Sequence, residues 1–310
     1  MIIPKALKKG DTIGLISASG ATPSEKLPRA IASVEKLGFK VVTGETCRAR
    51  HGYLAGSDEL RAAEVNQMFQ DPTIDGIFCI RGGYGATKIL PLLDFEMIKE
   101  NPKVFAGYSD VTALHIAFNQ KCNFVTYHSP MPSTEFIRSD MDDYTWEYFI
   151  NSVMDTGRSG YFLENPQRQQ MTTLVAGEAT GELVGGNLTL VTASLGTPYE
   201  IDTKGKILFL EDIDESEQRV DRMLTQLKLA GKLDDVAGLL LGAWTDCGPE
   251  NPSQPEQSLS LPTIFKEVLE PLHKPVLMDL TCGHCLPTMT LPLGRTISFN
   301  TETQAIKVVE

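Results

Sequence analysis

Val104-Phe-Ala-Gly107-Tyr-Ser109-Asp110-Val111-Thr-Ala-Leu114-His115-Ile-Ala-Phe118 reads as one strand, one turn and one helix in succession. An apolar run leads into Gly107, and the apolar residues at positions 111, 114 and 118 then recur at helical spacing. The same grammar repeats upstream. Thr12 to Ile16 predicts a strand, Ser24 to Leu37 a helix, and Phe39 to Val42 a second strand. Ser57-Asp-Glu-Leu opens another helix, with an N-cap hydroxyl and two acids in its first turn, and Ile74 to Ile80 is a further buried strand. Strands that alternate with helices imply βαβ units, hence an α/β fold with a parallel sheet covered on both faces by helices.

Further along, the amphipathic stretch from Asp142 to Met154 gives way to Thr156-Gly-Arg-Ser-Gly160 and then Glu164-Asn-Pro-Gln-Arg-Gln-Gln170, polar and rich in turn formers. The boundary falls there, so we expect domains over 1–160 and 161–310. The second half mixes strands (Thr180 to Val184, Ile207 to Leu210, Val236 to Ala243) with helices, one opened by Gly185-Gly-Asn187 and one from about Glu215 to Gly231, and ends in a β-leaning tail.

With 310 residues, 42% of them apolar and 22% charged, the chain is long enough for two packed cores and has the composition of a folded globular protein. Its net charge of −12 repels phosphate backbones and anionic lipid, which argues against nucleic-acid or membrane-surface partners. The first ten residues hold only short apolar runs and no small-residue cleavage site, which predicts a cytoplasmic protein without a secretory signal. Six cysteines in such a setting read as reduced thiols. Cys282-Gly-His-Cys285 matches a redox or zinc spacing, but the Pro-broken tail after it does not suit a redox helix and the other four cysteines are isolated.

Four features carry chemistry. Ser109 stands on the turn between strand and helix, where unpaired N–H groups of the new helix face a nucleophile; an N-cap serine produces the same local pattern, and Val111 occupies the place of the second glycine of the usual Gly-x-Ser-x-Gly elbow. Arg81-Gly82-Gly83-Tyr84-Gly85 ends the strand from Ile74 with backbone free to approach a ligand. It satisfies neither nucleotide-binding fingerprint and reads as an oxyanion-binding turn or as a tight structural turn. Glu211 lies one residue beyond the apolar run Ile207 to Leu210, where α/β strand ends deliver functional groups; a hard-cation site made by the neighbouring acids lacks a glycine-containing loop. Of the five histidines, His284 in its Gly-flanked loop is the best candidate base; His115 has core spacing, His273 follows a helix end, and His51 and His128 lie in loops. The chain order Ser109, Glu211, His284 is one that serine hydrolases use.

Arg81-Gly-Gly-Tyr-Gly85, Gly107-Tyr-Ser-Asp110, Gly185-Gly-Asn-Leu188, Leu210-Glu-Asp212 and Gly283-His284 occur in an order and at spacings that resemble the LD-carboxypeptidase and microcin-immunity family of serine peptidases. The resemblance runs from Gly10-Asp-Thr-Ile-Gly14 to Leu291-Pro-Leu-Gly294 and departs at Ser129-Pro130, where the family often has Gly-Pro. It implies a Rossmann-like N-terminal domain bearing the nucleophile and a C-terminal domain with a β-rich core and flanking helices that supplies acid and base, with the site expected in a cleft between these domains and the protein expected to be a homodimer. On that footing Ser109 is the nucleophile, His284 the base, Glu211 its orienting acid, and the N–H groups of Asp110 and of Gly82 or Gly83 the oxyanion donors. The implied reaction releases terminal D-Ala from murein tetrapeptides, a small muropeptide substrate, with no cofactor or metal; the immunity branch hydrolyses a peptidyl-nucleotide antibiotic instead. An α/β-hydrolase esterase, a non-catalytic sugar- or peptide-binding protein, and a zinc or redox protein remain as rivals.

Overall fold

The computed structural model describes residues 1–166 and 169–309; Gln167 and Arg168, inside the polar stretch expected to mark the boundary, lie outside the described residues. Two compact units emerge, Met1–Arg158 with Met289–Gly294, and Ser159–Thr288 with Arg295–Glu310. One cut does not describe this division, because six residues near the end of the chain return to the first unit. The reason is pairing: Leu291–Leu293 joins the first sheet as an antiparallel edge strand on residues 126–128.

In the first unit β1 (Thr12–Ile16), β2 (Lys40–Thr43), β3 (Gly76–Cys79), β4 (Val104–Gly107) and β5 (Thr126–His128) are all parallel, in the order 2-1-3-4-5. β3 and β4 are buried along their whole length, as their unbroken apolar sequences require of strands covered on both faces. Helices α1 (Leu27–Lys36) and α6 (Asp143–Met154) pack on one face, where Ala30, Val34, Phe149 and Val153 meet Ile13, Leu15, Phe78 and Val104. Helices α2 (Asp58–Gln70) and α5 (Thr112–Ala117) serve the other, with Phe69 stacked 6.0 Å from Phe105 and His115 edge-on to the same ring at 5.6 Å. The short helices α3 (Ala86–Ile89) and α4 (Phe95–Glu100) complete the unit. Ser57 caps α2 as its sequence predicts, accepting the Leu60 N–H. In such a doubly wound sheet the chain reverses direction of travel between β1 and β3, and the carboxyl ends there are the natural ligand crevice.

The second unit is built on an eight-stranded sheet. Its strands are β6 (Phe162–Leu163), β7 (Thr172–Val175), β8 (Glu178–Asn187), β9 (Ile207–Ile213), β10 (Gly238–Thr245), β11 (Val276–Met278) and, beyond Leu291–Leu293 (β12), β13 (Thr296–Asn300) and β14 (Ala305–Val308). β8, β9, β10 and β11 form a parallel centre; β13, β14 and β6 extend one side antiparallel and β7 the other. Helices α7 (Leu188–Ala193), α8 (Glu217–Leu229) and α9 (Leu261–Leu269) accompany it, and α8 buries Val220, Leu224 and Leu227. Two local expectations change. Gly185 and Gly186 do not open a helix but continue β8, paired with Phe209 and Leu210, and only Asn187 caps α7. Glu211 does not follow its strand but lies within it, level with Asn187. Among the described residues no helix is long and apolar enough to cross a membrane.

Candidate active site

Ser109 follows β4 as the first residue of a 3-10 turn that runs into α5, and its φ of 65° is left-handed. A side chain rarely adopts that conformation, and a serine held there on a tight strand-to-helix turn is the elbow arrangement that lifts a hydroxyl clear of its sheet. The N-cap reading fails: the capping position is Tyr108, and no side chain caps the turn. The missing second elbow glycine is also explained. A Cβ on Gly107 would lie 3.3 Å from the Val111 methyls, so the glycine before the serine makes the room that Val111 takes.

Gly82 is packed against this turn. A Cβ there would fall 2.9 Å from Ser109 Cβ, 3.0 Å from its Oγ and 3.4 Å from the Asp110 nitrogen. Among the described residues, the backbone N–H groups of Gly82, Gly83 and Asp110 donate to no backbone carbonyl. The buried Asp110 carboxylate accepts the Ala86 N–H at 2.8 Å and so ties the turn after β4 to the glycine-rich turn after β3; burial raises its pKa. Behind Ser109, the Gly107 carbonyl accepts from Ser129 N–H at 3.0 Å and lies 2.8 Å from His115 Nε2. Burial lowers the His115 pKa to about 4, so the ring is neutral at pH 7 and donates through Nε2. His115 is thus a packed core residue, and Ser129, where the family often has glycine, holds this loop through its backbone N–H while its hydroxyl donates to the Pro130 carbonyl at 3.3 Å.

Two supports escape sequence reading. Arg61 of α2 is fully buried and donates through Nη1 to the carbonyls of Ala18, at 2.6 Å, and Gly85, at 2.8 Å, joining the turns after β1 and β3. Tyr108 donates to the buried Glu135 at 2.8 Å. An arginine inside an amphipathic helix and a tyrosine before a serine give no signal of these roles, since their partners come from distant loops.

The second unit brings Glu211 and His284 together. Nδ1 of His284 lies 2.7 Å from Glu211 Oε2, and the His284 N–H reaches the same oxygen at 3.3 Å. Glu211 is fully buried while His284 is 12% exposed. The carboxylate keeps the proton on Nδ1, which makes Nε2 the basic nitrogen of the neutral ring. Gly283 allows this approach: its φ is +112°, and a Cβ on it would sit 2.6 Å from Glu211 Oε2. Thr245 Oγ1 donates to the His284 carbonyl at 2.6 Å and holds the loop from the other side.

Next to Glu211, the Asp212 carboxylate accepts from Asn187 Nδ2 at 2.8 Å and from the Thr189 N–H and hydroxyl at 2.9 Å. Burial, with the Glu211 charge adding to it, raises Asp212 to about 6. The network locks the β8 end and the α7 start to the acid-bearing strand. Burial pushes the Cys282 thiol well up, the opposite of a reactive thiolate. Among the described residues no cluster of three or more His, Cys, Asp or Glu side chains is gathered as for a metal ion.

The sequence profile of the LD-carboxypeptidase N-terminal domain matches residues 13–129, and that of the C-terminal domain matches residues 180–299. The chain belongs to the LD-carboxypeptidase family of serine peptidases. It is 42% identical over 298 residues to a probable murein peptide carboxypeptidase of Bacillus subtilis, covering 96% of this chain and 91% of that one. Its fold is similar to that of the microcin C7 self-immunity protein MccF in complex with glutamyl sulfamoyl guanosine, with a TM-score of 0.90 and 28% identity over 100% of this chain and 99% of the other. It is also similar to a muramoyltetrapeptide carboxypeptidase from Oxalobacter formigenes, with a TM-score of 0.81 and 29% identity over 96% and 97% of the two chains.

Proposed function

We propose that the protein is a serine carboxypeptidase that hydrolyses the L,D-peptide bond releasing terminal D-Ala from murein tetrapeptides. The observation that carries this reading is the left-handed Ser109, presented on its elbow beside the backbone N–H groups of Gly82, Gly83 and Asp110, which donate to no backbone carbonyl among the described residues. In the mechanism His284 Nε2 takes the Ser109 proton as the hydroxyl oxygen attacks the scissile carbonyl, and Glu211 steadies the imidazolium that forms. The N–H groups of Asp110 and of Gly82 or Gly83 stabilise the oxyanion, each donor contributing on the order of 3 kcal/mol. Collapse expels D-Ala, which takes its proton from His284, and water resolves the acyl-enzyme with His284 again as base.

The substrate class is supported by the relative in Bacillus subtilis, described as a probable murein peptide carboxypeptidase. The likeness to MccF favours a second reading, hydrolysis of an aminoacyl-nucleotide antibiotic. Mass spectrometry of the purified protein with murein tri-, tetra- and pentapeptides and with an aminoacyl sulfamoyl adenylate separates them: loss of one alanine from the tetrapeptide alone supports the first, and cleavage of the adenylate alone supports the second. A cytoplasmic location and a homodimeric state complete the proposal, to be checked by cell fractionation and sedimentation.

A further inference from the structure

Arg81 precedes the glycine that touches Ser109, and its guanidinium is only partly spoken for. Nε donates to the Gly82 carbonyl at 3.1 Å and Nη1 to the Ala21 carbonyl at 2.9 Å. Both partners are neutral backbone atoms. Nη2 bonds to no described residue and lies 3.7 Å from the place of a Cβ on the exposed Gly83. Arg81 enters no ion pair among the described residues, and burial, followed by the charge of Arg50, lowers its pKa. A half-buried guanidinium with a cationic neighbour and no anion is an unfavourable arrangement in a free protein unless an anion is to be supplied.

The surroundings say where that anion belongs. Two hydrogen bonds hold the planar fork in place at the carboxyl ends of β1 and β3, so little freedom is lost when the remaining N–H groups bind a ligand. Gly82 joins the two functions: its Cα faces the Ser109 hydroxyl and its carbonyl holds Arg81. In a peptide cut at its last bond, only a nitrogen and a Cα separate the attacked carbonyl carbon from the terminal carboxylate carbon, about 3.5 Å apart. The carboxylate must therefore be held on the lip of the nucleophile turn.

Resting on the carboxypeptidase reading above, we propose that Arg81 binds the free C-terminal carboxylate of the substrate and thereby restricts cleavage to the terminal bond. An internal bond offers no carboxylate at that point and leaves the guanidinium unpaired.

The test compares a murein tetrapeptide with its C-terminal amide, using the wild type, Arg81→Ala and Arg81→Lys, each checked for an unchanged melting temperature. The wild type is expected to prefer the free acid by on the order of 10- to 100-fold in kcat/KM, the range for a charge-assisted hydrogen bond, mostly through KM. Arg81→Ala should bring the ratio close to one and Arg81→Lys should keep part of it. Because Arg81 also holds two loops, its loss can slow both substrates; a merely structural role would lower both together and leave the ratio at its wild-type value, which overturns the proposal. A wild type that cleaves acid and amide equally well also overturns it, while the peptidase reading stands. Cleavage of neither by the wild type defeats that reading and the anchor with it.

Discussion

Replacing Gly82 by alanine tests the packing on which the candidate site is built. Gly82 has no left-handed backbone to strain, so the effect is one of space alone. The new Cβ would stand 2.9 Å from Ser109 Cβ and 3.0 Å from its Oγ. Apolar carbons rest at about 3.5–4.0 Å, so either Ser109 or the glycine-rich turn must move by about 0.6 to 1.1 Å. Displacement on that scale at a reacting atom costs about 100-fold in rate, equivalent to about 2.7 kcal/mol of barrier. The overpacking itself is expected to remove about 1–3 kcal/mol from a stability of about 5–15 kcal/mol, so the variant stays folded. Release of D-Ala from a murein tetrapeptide, followed by chromatography, gives kcat/KM, and calorimetry gives the melting temperature. Gly157→Ala is the control, since a Cβ there meets nothing within 4 Å. Turnover by Gly82→Ala within about twofold of the wild type would refute the argument that Gly82 sets the position of the Ser109 hydroxyl.

Ser109→Ala and Ser109→Gly should both abolish turnover, and Ser109→Gly should be the more stable of the two by up to about 1 kcal/mol, seen as a higher melting temperature, because glycine relieves the left-handed φ that alanine retains. Gly283→Ala combines a φ of +112° with a Cβ 2.6 Å from the Glu211 carboxylate; we expect a loss of about 1–3 kcal/mol in stability by denaturant titration and loss of activity as the His284 loop retreats. Two buried groups oppose each other in acid. His115, held near pKa 4 against an ordinary 6.5, binds its proton more readily unfolded, so its contribution is present above pH 6.5 and lost as pH falls towards 4; Asp212, raised to about 6 from 3.8, binds its proton more readily folded, so its contribution is present below 3.8 and lost as pH rises towards 6. Asp212→Asn removes the second effect alone, and the unfolding free energy of that variant should fall more steeply than that of the wild type between pH 6.5 and 4, by denaturant titration at each pH.

The parallel sheet of the first unit was legible because fully buried strands and amphipathic helices carry their periods in the residues themselves. β1 begins and ends where its apolar run does, and Ser57 caps α2 as a serine before two acids should. Ser109, Glu211 and His284 could be singled out one at a time, each from its position at or near a strand end. Local chemistry misjudged what depends on a partner. Gly185-Gly186 looks like a helix start, yet pairing with β9 draws both into a strand; Leu291–Leu293 belongs by sequence to the tail, yet completes the first sheet on β5.

What the residue order determined by itself, then, was the alternation of elements and the residue types at their ends, since both arise from interactions within a few positions along the chain. Only the tertiary structure decided that Ser109 takes a left-handed turn against Gly82, that Glu211 is wholly buried beneath His284, and that Arg61 and Asp110 bind separate loops together. Each of those contacts joins residues tens of positions apart, and its energy depends on distances of a few tenths of an ångström that no local pattern encodes.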